Sequence, residues 1–181
     1  ELAQKYYRAL KGSEQEPPEL SFVMGLWLRQ NGSYEQALDA LRWALEVGGQ
    51  SSSAQILYEM ANTYVELMQD KEAVIFYERS LALEPEAAEV RFAYGQLLGR
   101  LGQVESAKAQ LCQVLVMLDG NDVETYINVA VELSELGMGD LAIDIYYQAL
   151  LLEPDNYFLY SNLGVEFAEL GDFESALFCH L

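Results

Sequence analysis

The ten residues FYERSLALEP at 76–85 return as IYYQALLLEP at 145–154, and this recurrence constrains the fold more than any other property of the chain. The closing prolines, Pro85 and Pro154, stand 69 residues apart, so a period of 34 to 35 predicts a further copy between them. It is present in diverged form as QLCQVLVMLD at 110–119, and YYRAL at 6–10 matches YYQAL at 146–150 across four such periods. A chain with this period folds as an array of small helical units, each of which buries its apolar face only against its neighbours.

Composition supplies enough apolar surface for such an array and restricts its partners. Of 181 residues 51% are hydrophobic, and 29 Asp and Glu against 10 Lys and Arg give a net charge of −19. So negative a surface repels nucleic acid and anionic membranes, and its natural complement is a basic partner. The charge is also uneven, because every Lys and Arg lies at or before Lys108 while residues 109–181 carry 13 acidic side chains. No apolar run approaches a membrane-spanning length and no signal segment is visible, which predicts a cytoplasmic protein. Cys112 and Cys179 fall 67 residues apart in different repeats, a spacing expected of buried small apolar side chains rather than of a disulfide framework.

Apolar residues recur at helical spacing, as in Leu57, Met60, Ala61 and Tyr64 and again in Ala73, Phe76, Tyr77 and Leu81. Each unit therefore reads as two helices, broken at QNGSYEQA, MQDKEAV, RLGQVESA, LGMGDLA and LGDFESA. Gly32, Gly102, Gly137 and Gly171 suit left-handed helix ends, and Ser33, Asp70, Asp140 and Asp172 are expected to cap the helices that follow. Gly25, Ala61, Gly95, Ala130 and Gly164 in the first helices face Ala37, Ala73, Ala107, Ala142 and Ala176 in the second, which lets the paired backbones approach closely.

This spacing of small residue, alanine and terminal proline resembles the tetratricopeptide repeat, and YSNLGVEFAELGDFESA at 160–176 is its nearest copy, matching at Tyr160, Leu163, Gly164, Phe167, Gly171 and Ala176. The resemblance implies an all-α solenoid of helix-turn-helix units forming a right-handed superhelix. The units are expected at 18–53, 54–87, 88–122, 123–156 and 157–181, the last truncated, with residues 1–17 as a second helix of a preceding unit and a linker. Ser21 and Arg91 depart from the family pattern at a position usually bulky.

Candidate chemistry is sparse. GMGDLA at 137–142 fits a dinucleotide fingerprint, but it joins two helices where that motif requires a strand before the glycines. DGND at 119–122 opens like a calcium loop, yet Val123 and Ala130 stand at the fifth and twelfth ligand positions. His180 has no evident catalytic partners. The fragment is therefore expected to be no enzyme and to use no metal and no cofactor, although a catalytic domain outside it is compatible with this reading.

In the tetratricopeptide family the first helices line a concave groove, and the resemblance places Phe22, Leu26, Tyr58, Asn62, Phe92, Gln96, Ile127, Val131 and Val165 on it. Asn128 and Asn162 occupy one position in consecutive repeats, like the asparagine ladder with which O-linked N-acetylglucosamine transferases grip peptide main chains. An amide side chain both donates and accepts, so it pairs with a peptide backbone whatever the sequence. Glu66, Glu135 and Glu169 recur at the groove edge and favour Lys or Arg on the ligand. Glu19, Gln55, Tyr58, Glu59 and Asn128 stand where chaperone-binding members carry a clamp with basic residues, which argues against recognition of an acidic tail. The expectation is a scaffold that binds a protein or peptide segment with apolar anchors and basic residues. Two alternatives are the substrate-recruiting arm of a larger glycosyltransferase and a scaffold whose truncated ends join copies of the chain.

Overall fold

The computed structural model describes residues 17–48, 53–117 and 122–179, and among them the chain forms ten α-helices and no strand. In order these are α1 (Pro18–Gln30), α2 (Tyr34–Val47), α3 (Ser53–Glu66), α4 (Asp70–Leu83), α5 (Ala88–Arg100), α6 (Val104–Met117), α7 (Val123–Glu135), α8 (Gly139–Leu152), α9 (Tyr157–Glu169) and α10 (Phe173–Phe178). The YYRAL segment, Asp119 to Asn121 and His180 lie outside the described residues. The chain divides into two compact units, residues up to 93 and residues from 94, so the boundary falls within α5. In the first unit α1 packs on α2 and α3 on α4, with α2 against α3; in the second α7 packs on α8 and α9 on α10, with α6 against α7 and α8 against α9.

The hairpins close through their small residues. Ala37, Ala73, Ala107 and Ala142 have no solvent exposure, and one helical turn after each stands a larger core residue: Leu41, Tyr77, Leu111 and Tyr146, all buried. Two packing solutions alternate. Where the first helix carries glycine, the second carries leucine, and a Cβ built on Gly25 would lie 2.8 Å from Leu41 Cγ while one on Gly95 would lie 2.9 Å from Leu111 Cγ. Where the first helix carries Ala61 or Ala130, the second carries Tyr77 or Tyr146.

Turns between the paired helices hold Gly32, Gly102, Gly137 and Gly171 at φ of +73°, +72°, +76° and +81°, the left-handed region in which glycine carries no Cβ penalty. In the α3–α4 turn the same place falls to Met68 at φ +57°. The helix starts differ from the sequence expectation. Asp172 does cap α10, accepting from Ser175 N at 3.1 Å, but Ser33 makes no side-chain capping bond, and the cap positions of α4 and α8 are Gln69 and Met138. Asp70 and Asp140 lie inside the first turn of their helices, where a carboxylate meets the positive helix end without capping it. Asp122 and Asn156 take the capping role instead, at α7 and α9.

Pro85 and Pro154 lie just beyond α4 and α8, and α4 and α8 end at Leu83 and Leu152, before each proline's missing N–H would break the helical ladder. Both cysteines are free and half-buried rather than buried, because Leu111 and Val114 hold the inward positions beside Cys112 on α6. Ser21 is fully buried, and the Arg91 guanidinium donates from Nε and Nη2 to the Pro85 carbonyl at 3.0 and 2.8 Å, so both departures from the family pattern have a place in the packing.

Candidate interaction site

In the first unit the candidate groove residues lie on α1, α3 and the start of α5. Phe22, Leu26 and Phe92 are half-buried and Tyr58 is buried. Polar side chains between them tie successive first helices together. Arg29 on α1 donates to Glu59 on α3 at 2.9 Å, and Gln55 donates to the other Glu59 oxygen at 3.3 Å. Tyr58 OH donates to Glu89 on α5 at 2.9 Å. Asn62 accepts from Tyr77 OH at 2.6 Å and also hydrogen-bonds Tyr58, so its amide belongs to a chain of bonds running Tyr77, Asn62, Tyr58, Glu89. Burial pushes the Tyr58 phenol up to about 12, with the Asn62 bond opposing and Glu89 adding to the rise. Glu66, the last residue of α3, is exposed and accepts from Tyr34 OH at 3.3 Å.

The second unit is more open. Gln96 on α5 donates to Glu132 on α7. Along α7 the residues Glu124, Asn128, Val131 and Glu135 follow i, i+4, i+7, i+11 spacing, and along α9 Phe158, Asn162, Val165 and Glu169 repeat it, so each set forms one stripe on its helix. Asn128, Glu135, Phe158, Val165 and Glu169 are exposed or half-exposed, and Ile127 and Val131 are half-buried. Glu135 and Glu169 are the last residues of their helices.

The two asparagines of the candidate ladder are not equivalent. Asn162 is half-buried and hydrogen-bonded to Tyr146 of α8, a tyrosine for which the helix preceding Asn128 has no counterpart. Tyr146 is pushed up to about 12, first by burial and next by the negative charge of Glu166, against which the Asn162 bond acts. Glu166 itself is only 4% exposed, and its Oε2 lies 3.0 Å from where a Cβ on Gly139 would stand. Gly139 is the first residue of α8, so a carboxylate already occupies the approach to that helix start. The GMGDLA segment thus joins α7 to α8 and presents no cradle for a phosphate.

Hydrogen bonds from Thr125 and Ser175 pull Asp122 and Asp172 below the usual carboxylate value, while Tyr34, Tyr58 and Tyr146 are pushed alkaline. All of these groups keep their charge state through neutral pH. What the two faces offer is apolar contact, hydrogen bonding and negative charge. Sequence reasoning passed over Phe158, Glu89, Glu132 and Tyr146; Phe158 and Glu89 were accessible by extending the repeat register, since Glu89, Glu124 and Phe158 share one position in their units.

Comparison with known proteins agrees with the architecture. Residues 54–86 match the family model for the tetratricopeptide repeat. The structure of YrrB, described as a tetratricopeptide-repeat protein with an unusual peptide-binding site, superposes with a TM-score of 0.70 at 25% identity, covering 98% of this chain and 89% of that one. MamA from Desulfovibrio magneticus RS-1 gives a TM-score of 0.72 at 20% identity, covering 90% of both chains. The human protein O-mannosyl-transferase TMTC1 is 28% identical over 131 residues, which are 72% of this chain and 14% of that protein. The chain has the all-α fold of a tetratricopeptide-repeat solenoid, one of its repeats matching the family model, and it spans a small part of the curated relative it matches. No helix among the described residues is long and apolar enough to cross a membrane.

Proposed function

We propose that the chain is a protein-interaction scaffold whose first helices bind a peptide or helical segment with apolar anchors and basic residues. The observation that carries this reading is the pair of stripes in the second unit. Val165 and Phe158 offer exposed apolar surface, Glu135 and Glu169 stand at the ends of the same stripes, and no Lys or Arg follows Lys108. In the first unit Phe22, Leu26 and Phe92 supply further half-buried apolar surface, but Tyr58 and Asn62 are engaged in packing, so their contribution is to hold the face in shape. Asn128 is the rung offered to a ligand main chain; Asn162 sets the position of Tyr146 and shares its amide with that task. Peptide binding by YrrB, as its description states, supports the same use of the fold.

The test is a calorimetric titration of the chain with a synthetic peptide of alternating leucine and lysine, at low and high salt. Binding that weakens with salt and is lost in Val165→Asp supports the reading; binding that Val165→Asp leaves intact contradicts it. A second reading, that these repeats recruit substrate for a larger transferase, draws on the likeness to human TMTC1. It predicts that peptides held by the repeats are glycosylated by the longer protein faster than peptides that are not held.

A further inference from the structure

The first turns of α1 set Pro18 beside Phe22 and Glu19 beside Val23 at i, i+4 spacing. With Gly48, which ends α2, and Ile56, a side chain only 2% exposed in the first turn of α3, they line a cavity of about 100 Å3. Gly48 keeps the space beside Pro18 clear. α4 and α8 carry Glu84 and Glu153 at the corresponding helix end, whereas a Cβ on Gly48 would lie 3.2 Å from Pro18 Cβ and 2.6 Å from the Ala44 carbonyl oxygen. Pro18, Phe22, Val23 and Ile56 make the walls apolar, and Glu19 is the one charged residue among those that line the cavity. Elsewhere in the first unit Glu59, Glu66 and Glu89 each accept a hydrogen bond from a neighbouring side chain. Glu19 is exposed and bonded to no other described residue.

A carboxylate in the first turn of a helix is favoured by the positive helix end, and that alone asks for no ligand. Here the carboxylate stands at an apolar recess. Apolar walls with one unpaired anion complement a group that is aliphatic along its length and cationic at its tip. We propose that the cavity binds a linear primary alkylammonium group, its methylenes against Phe22, Val23 and Ile56 and its ammonium at the Glu19 carboxylate. A free alkylamine and a lysine side chain share this chemistry, a flexible apolar stem ending in a compact cation. Size restricts the occupant further, because engineered apolar cavities that take benzene measure roughly 150 Å3, so an unbranched chain fits where an aromatic ring does not. Charge disfavours a carboxylate-bearing chain of the same length. The site lies in the first unit and requires nothing of the stripes on α7 and α9.

Ile56 reports on the cavity directly. The chain has five isoleucines, Ile56, Ile75, Ile127, Ile143 and Ile145, so with carbon-13 at their δ1 methyls a titration of the full chain reads Ile56 as one resolved signal, assigned by its loss in Ile56→Leu. The probes are n-butylamine, 1-butanol and butyrate at constant ionic strength and neutral pH. Butylammonium is expected to move the Ile56 signal to saturation, leave that of the exposed Ile75 in place, and bind about two- to five-fold tighter than butanol, as one exposed ion pair supplies; butyrate should bind more weakly than either. Glu19→Gln should bring the amine to the affinity of the alcohol. Val23→Phe, at a position 59% exposed, should fill the cavity and abolish the shift for all three, with the other isoleucine signals unmoved to show that the fold is kept. Lysine blocked at both its amino and carboxyl groups distinguishes the sources: a matching Ile56 shift assigns the site to a partner's side chain, and a shift by butylammonium alone assigns it to a free amine. An Ile56 signal that no probe moves, equal affinity for amine and alcohol in the wild type, or an amine preference that survives Glu19→Gln overturns the proposal.

Discussion

Gly25→Ala should destabilise the first hairpin although it replaces glycine within a helix by the best helix former. The propensity gain in an exposed helix is about 1 kcal/mol. At this site the new methyl would lie 2.8 Å from both Leu41 Cγ and Cδ2, and Leu41 has no exposure into which to retreat. Overpacking of this kind costs about 1 to 3 kcal/mol, so the net change is a loss of up to about 2 kcal/mol. The partner substitution isolates the cause. Leu41→Ala alone should cost about 2 to 5 kcal/mol through the cavity it leaves. In that background the clash is gone, and Gly25→Ala should instead become neutral or stabilising by up to about 1 kcal/mol. Urea unfolding followed by tryptophan fluorescence suits the cycle, because Trp27 and Trp43 lie on α1 and α2. Additive effects in the double mutant, or a stabilising Gly25→Ala in the wild-type background, would refute the packing argument.

Met68→Gly should raise the stability of the first unit by about 1 kcal/mol, since Met68 holds φ +57° where four other turns use glycine; urea titration with a lower midpoint than wild type would contradict this. Asp122→Ala should cost about 1 kcal/mol of α7 stability at neutral pH through loss of the cap. Because hydrogen bonds hold the Asp122 carboxyl below its unfolded value, that contribution is present above about pH 4 and disappears as pH falls through the native value, so mutant and wild type should converge in acid. Tyr58 and Tyr146, both raised to about 12, stabilise the native state below the unfolded value near 10 and cease to do so as pH rises through about 12. Spectrophotometric titration at about 295 nm, where ionised phenols absorb, should show two late-ionising tyrosines, one removed by Tyr58→Phe and one by Tyr146→Phe. Asn162→Ala should cost about 1 to 3 kcal/mol by stripping a partner from buried Tyr146, while Asn128→Ala should stay within about 0.5 kcal/mol.

The repeat architecture was legible because its signal is a backbone requirement. Gly32, Gly102, Gly137 and Gly171 occur where the chain turns left-handed, and Ala37, Ala73, Ala107 and Ala142 where nothing larger fits. Side-chain roles were less legible, since they depend on the facing element rather than on spacing. Asn128 and Asn162 share a repeat position, yet Asn162 meets a tyrosine hydroxyl because α8 brings Tyr146 against α9, whereas α6 carries Leu111 at the corresponding place. The capping residues were misjudged for a related reason. Asp70 and Asp140 belong to sequences that look like helix starts, but the residue one place after the left-handed turn takes the cap, which puts Gln69 and Met138 there. Asn62 likewise reads as a groove amide and proves to be the link between Tyr77 and Tyr58.

Selection of peptides from a random display library on the immobilised chain, run in parallel on Glu135→Lys/Glu169→Lys, tests the interaction reading most directly. The wild-type chain should enrich sequences combining apolar residues with Lys or Arg, and the charge-reversed chain should lose or invert the basic preference. Enrichment of acidic or uncharged sequences on the wild type, or the same sequences on both proteins, would contradict it.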